Sequence, residues 1–105
     1  MSLTASKITA DALLMLKAKG CRVRRVNNVG AYKKRSNQVI KGLPDIIGYS
    51  HNGVAVWCEV KTQGDKLSKE QKEELQDCHD RGGISLIAHE INGQTTLTKY
   101  VDYIK

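Results

Sequence analysis

Asp45, Glu59 and Lys61 are the residues of this chain whose types and spacing could do chemistry. The stretch that carries them reads Pro44-Asp45, a short apolar run, His51-Asn52-Gly53, a second apolar run, and Glu59-Val60-Lys61. A pair of carboxylates is what a hard cation such as Mg²⁺ takes as oxygen ligands. A lysine beside them can steady a phosphate or a metal-bound water.

The elements that must position these groups are two strands of one β-hairpin, Pro44 to Tyr49 and Val54 to Lys61. Side chains alternate along a strand, so Trp57, Glu59 and Lys61 share a face. Val54, Val56, Cys58 and Val60 form the opposite, apolar face, which is the core side. The turn decides the rest. A two-residue turn at Asn52-Gly53 sets Asp45 opposite Val60, away from Glu59. A three-residue loop with a bulge at Gly53 sets Ser50 opposite Val54 and Asp45 opposite Glu59. Facing carboxylates repel, and a divalent cation compensates them. The Val60 carbonyl would then be a third oxygen ligand. Without a cation, the same residues read as a turn Asp after Pro44 and two solvated or paired ions.

The remainder of the chain supplies one domain spanning residues 1–105. There is no Phe, so the core is built from Val, Ile, Leu and Ala. The net charge of +6 favours an anionic partner, nucleic acid before membrane. Between Ala12 and Pro44 there is no acid, yet nine of the 17 Lys and Arg residues lie there. No apolar run approaches a membrane span. Three cysteines at spacings that match no disulfide or zinc pattern read as reduced thiols of a cytoplasmic protein. His51, His79 and His89 do not gather in sequence.

In chain order, Thr4 to Lys19 reads as a helix, with Ile8, Ala12, Met15 and Leu16 on one face, Thr4 or Ser6 as cap and Gly20 as stop. Cys21 to Val26 reads as a strand. Residues 27–42 have no clean period and contain the cluster Lys33-Lys34-Arg35. After the hairpin, a second helix runs from Ser68 to about Arg81 and stops at Gly82-Gly83. Ile84 to His89 is a strand, Asn92-Gly93 a turn, and Thr95 to Ile104 is expected as a short helix although its threonines suit a strand. The order α-β-β-β-α-β-α makes an α/β fold, a mixed sheet flanked by helices.

Gly42-Leu43-Pro44-Asp45, then Glu59-Val60-Lys61-Thr62, then Leu67-Ser68-Lys69-Glu70-Gln71 resembles the PD-(D/E)xK nuclease superfamily with its restriction-endonuclease-like core. In particular it resembles the virus-type replication-repair nuclease (VRR-NUC) family in its stand-alone, phage-type form. Arg25-Val26-Asn27 and Arg81-Gly82-Gly83 extend the likeness, which covers about residues 5 to 90. The resemblance implies a Mg²⁺- or Mn²⁺-dependent endonuclease with no organic cofactor, acting as a homodimer on branched DNA such as Holliday junctions. It implies Asp45, Glu59 and the Val60 carbonyl as metal ligands, Lys61 positioning the attacking water, and Gln71 facing the site from the second helix. One feature departs from the family. Its Glu near the start of the first helix has no counterpart: the position falls near Ala5, and Asp11 lies on another face. The number of metals is therefore open, and an inactive module that binds branched DNA is the competing expectation, beside a nuclease for flaps, ends or plain duplex.

Gln71 has a second reading, because Ser68-x-x-Gln71 is also a capping box. Arg22, Arg24, Arg25, Asn27, Lys33, Lys34, Arg35 and Lys41 are the candidate DNA contacts, since phosphate contacts need charge and reach rather than fixed spacing. Tyr32 is placed to stack on a base, and Trp57 reads as packing or dimer contact.

Overall fold

The computed structural model describes residues 2–26 and 41–105. Helix α1 (Ala5–Ala18) starts where Thr4 Oγ1 accepts from Lys7 N at 3.1 Å, so Thr4 rather than Ser6 is the cap. It is followed by β1 (Arg22–Arg25), β2 (Ile46–Tyr49) and β3 (Ala55–Val60). Helix α2 (Lys69–Asp80) then leads to β4 (Ile84–Ile91), β5 (Gln94–Lys99) and a final short helix α3 (Tyr100–Tyr103). The five strands lie in the order β1-β2-β3-β4-β5. All neighbours are antiparallel except β3 and β4, which are parallel and joined by the α2 crossover.

Each sheet face has its own helix. Ile8, Ala12 and Leu16 of α1 pack against Val23, Ile46, Val56, Cys58 and Ala88. This is the apolar hairpin face that the alternation picks out. Each buried Ile, Leu or Val side chain of this layer contributes about 1.5–3 kcal/mol. Burial in this layer pushes the Cys58 thiol up to about 12, as befits a core residue. On the other face, Leu75 of α2, Ile87 of β4, Leu67 and Tyr100 form a second cluster, with Trp57 partly buried against it. Ser85 donates to the Leu75 carbonyl at 2.6 Å, tying α2 to β4.

The mixed sheet flanked by helices is the expected architecture. The expected element order is kept, with one strand inserted before the last helix. Residues 95–104 were expected as a helix; Gln94–Lys99 instead form β5, and only Tyr100–Tyr103 are helical. Asn92 (φ 52°) and Gly93 (φ 78°) make a two-residue turn that sets Ile91 opposite Gln94. That turn delivers the β-branched Thr95, Thr96 and Thr98 to the open edge of β4, and ladder pairing wins over a short helical period.

Candidate active site

The hairpin turn has the geometry that brings the acids together. Tyr49 pairs with Ala55, and Ser50 N donates to Val54 O at 2.8 Å. His51, Asn52 and Gly53 are thus a three-residue loop, with Gly53 at φ +81°. Only a residue free of Cβ constraint takes that conformation readily. Continuing the register from Ile46↔Cys58 places Asp45 opposite Glu59.

Glu59 is 2% exposed, and its Oε2 is buried with no hydrogen-bond partner among the described residues. Burial, then a hydrogen bond to Asp45, then the Asp45 charge push its carboxyl up to about 9; Lys61 and the Val60 backbone act the other way. Asp45 is half-buried behind the buried Pro44, and its Oδ2 accepts from Val60 N at 2.8 Å. Lys61 is 8% exposed and donates through Nζ to the Lys66 carbonyl at 3.2 Å. That carbonyl is brought back by a turn in which Thr62 donates to Asp65 Oδ2 through its hydroxyl (2.6 Å) and its N–H (3.2 Å).

The loop entering β2 is pinned against α2. Gly42 sits at φ +83°, and a Cβ there would meet the Glu70 carbonyl oxygen at 2.5 Å. This close approach sets the first turn of α2 beside the segment that carries Asp45. Gln71, in that turn, serves the capping box: its Oε1 accepts from Ser68 N at 2.9 Å, and its own N–H donates to Ser68 Oγ at 3.1 Å. Only its amide NH₂ is left for the site.

No group of three or more His, Cys, Asp or Glu residues suited to a metal occurs among the described residues. The amino end of α1 does reach this end of the sheet, with Ser2 donating to Gln63 and Leu3 N to Glu90. It brings Ala5 there rather than an acid, and Asp11 is engaged by Lys7 and Thr95. The donor set is therefore two facing carboxyls. One oxygen of the pair lacks any partner among the described residues, which fits a divalent cation with oxygen ligands.

Of the candidate DNA contacts, Arg22, Arg24, Arg25 and Lys41 are exposed. Asn27, Lys33, Lys34 and Arg35, with Tyr32, lie outside the described residues. Arg22 and Arg24 stand on the same sheet face as the acids, in rows Arg22–Tyr49–Ala55 and Arg24–Ile47–Trp57. An open groove of about 620 Å³ runs over these rows, lined by the three arginines, Val26, Ile47, Gly48, Tyr49 and Trp57. Sequence reasoning did not single out Tyr49. The signal was the alternation that puts it on the Trp57 face, once the three-residue loop is fixed.

The model of the VRR-NUC domain matches residues 10–90 of the chain. No curated protein sequence matches it. Among solved structures, the fold is similar to that of Hjc, a Holliday junction resolvase from the archaeal hyperthermophile Archaeoglobus fulgidus. The TM-score is 0.59 over 90% of this chain and 71% of that chain, at 19% identity. At that identity the likeness is one of fold.

Proposed function

Because this chain belongs to the VRR-NUC domain family of nucleases, we propose that it is a Mg²⁺- or Mn²⁺-dependent endodeoxyribonuclease that acts on branched DNA. The observation that carries this reading is buried Glu59 facing half-buried Asp45, with one Glu59 oxygen unpartnered among the described residues. Asp45, Glu59 and the Val60 carbonyl would hold the cation. When bound, the cation supplies Lewis-acid polarisation of the phosphate and a more acidic water.

The chain's own groups do the rest. The Val60 N–H orients the Asp45 carboxylate. A carboxylate oxygen of the pair not engaged by the cation would accept a proton from the attacking water as its oxygen bonds to phosphorus, and the departing sugar oxygen would take up a proton from solvent. Lys61, held at the end of β3 by the Lys66 carbonyl, donates to that water or to a non-bridging phosphate oxygen. The Gln71 NH₂, not used by the capping box, would be a further donor. Arg22, Arg24, Arg25 and Lys41, with Asn27, Lys33, Lys34 and Arg35, hold the DNA backbone. The similar fold of a Holliday junction resolvase supports branched DNA as substrate. On a symmetric junction the acting form would be a homodimer, since a two-fold dimer presents two sites. Action on DNA and three free thiols fit the cytoplasm.

The test is a four-way junction incubated with the protein in Mg²⁺ or Mn²⁺, and again in EDTA. Metal-dependent nicking is expected. Asp45→Asn and Lys61→Ala should bind the junction yet cut it about a hundredfold or more slowly, the scale of losing one transition-state donor. The lack of a third carboxylate beside the pair among the described residues favours a second reading, a DNA-binding module without activity. Binding with no cutting under any metal condition would establish that one. Flaps, ends and plain duplex, run in parallel, report substrate preference.

A further inference from the structure

Helix α2 packs on β3 and β4, and α3 on β4 and β5. The same sheet face continues over β1 and β2 as the open groove. Its lining is unusual in chemistry. It carries arginines and no acid among the described residues, and it presents two aromatic rings, Tyr49 (50% exposed) and the half-buried Trp57. Guanidinium groups recognise phosphate, and flat aromatic faces stack on bases of any sequence.

The register makes this a track. Three rows cross the face in succession: Arg22–Tyr49, then Arg24–Ile47–Trp57, then Asp45–Glu59. Alternate residues of a strand stand about 7 Å apart, a step that one extended nucleotide can span. A strand with its phosphate at the carboxylate pair thus meets Trp57 one step away and Tyr49 two steps away. A base inside duplex is stacked on its neighbours and shows no open face. The rings therefore suit nucleotides that are unpaired, as in a flap or tail, or that unstack at a branch point.

We propose that this face is a base-stacking platform for unpaired DNA nucleotides next to the scissile phosphate, with Trp57 and Tyr49 as stacking groups and Arg22 and Arg24 as phosphate contacts. The proposal rests on the nuclease reading and adds to it where the substrate's unpaired strand runs. Charge decides the occupant. A second copy of this chain would bring +6 to an arginine-lined groove, and residues 27–40 carry Lys33, Lys34 and Arg35 with no acid. A polyanion has the opposite, complementary sign.

Trp57 is the chain's single tryptophan, so its emission reports on this face directly. The protein is titrated in EDTA, which stops cutting, with an oligonucleotide duplex bearing a single-stranded tail and with the blunt duplex of equal length. Binding is followed independently by anisotropy of labelled DNA. The tailed DNA is expected to quench Trp57, and the blunt duplex to bind without quenching it. Tyr49→Ala, at an exposed position, is expected to weaken tailed binding about 5- to 100-fold relative to blunt binding. Three results would overturn the platform: tailed DNA that binds with Trp57 unchanged, equal quenching by blunt duplex, or a Trp57 shift with protein concentration alone, which would put a second copy on the face. If any of these occurs while the junction is still nicked in Mg²⁺, the platform fails and the nuclease reading stands. Absence of both DNA binding and nicking would overturn the two together.

Discussion

At the scale of the residue, Glu59 is the costly member of the site. A buried carboxyl that faces a second carboxyl, with one oxygen unpartnered among the described residues, costs the fold stability. Burial first, and then the hydrogen bond and charge of Asp45, push its carboxyl up from an ordinary 4.5 to about 9. A raised carboxylate pKa means the native state holds a proton that the unfolded chain has lost. The stability associated with neutral Glu59 is complete below its ordinary pKa and is lost as pH rises through the raised one. Glu59→Gln removes that titration. In EDTA, wild type should therefore melt progressively lower relative to Glu59→Gln as pH is taken from about 5 to about 9. At the alkaline end the difference should be about 1 kcal/mol or more, roughly 4–8 °C. Mg²⁺ should raise the wild-type melting temperature at pH 8 and leave Glu59→Gln nearly unmoved, since a ligand stabilises only the state that binds it. Parallel pH profiles for the two proteins, or equal Mg²⁺ shifts, would remove Glu59 from the metal-binding set.

At the scale of the element, α2 asks which job Gln71 does. The capping box is formed, so Ser68→Ala should cost about 1 kcal/mol of stability. Gln71→Glu keeps the cap, because a carboxylate accepts from Ser68 N as the amide carbonyl does. A thermal melt of Gln71→Glu should therefore resemble wild type. If its cutting rate still falls, the lost NH₂ donor supports the reaction; unchanged cutting would leave Gln71 a cap alone. The sequence showed this ambiguity because one residue spacing serves both uses. It also showed the hairpin and, through the parity of the side chains, that Asp45–Glu59 pairing demands a three-residue loop, while Asn52-Gly53 equally suited a two-residue turn that would part them. It did not show β5, because Leu97, Tyr100, Val101 and Ile104 have a helical period that only pairing with β4 overrides. Nor does parity alone reveal that Arg22, Ile47, Tyr49 and Trp57 meet across three strands. That depends on β1 pairing with β2, a contact between segments about two dozen residues apart.

At the scale of the whole molecule, the basic charge is concentrated between Ala12 and Pro44 while both carboxylates of the site lie after it. A DNA backbone laid along Arg22 and Arg24 approaches the acids from one side, and Lys41 stands exposed at the start of the Gly42 approach to α2. Lys33, Lys34 and Arg35 belong to the same acid-free window, so they should add counterion-releasing contacts of their own. Each phosphate contact contributes about 0.9 to the slope of log affinity against log salt. Replacing all three with Gln should weaken junction binding at physiological salt and lower that slope by about 2 to 3, if each engages a phosphate. The measurement is a salt titration in EDTA of wild type and the triple variant on one junction. The proposed metal ligands Asp45 and Glu59 are untouched, so the Mg²⁺-induced rise in melting temperature should persist in the variant. An unaltered salt slope would take the 33–35 cluster out of the interface and leave the β1 arginines and Lys41 to carry the backbone contacts.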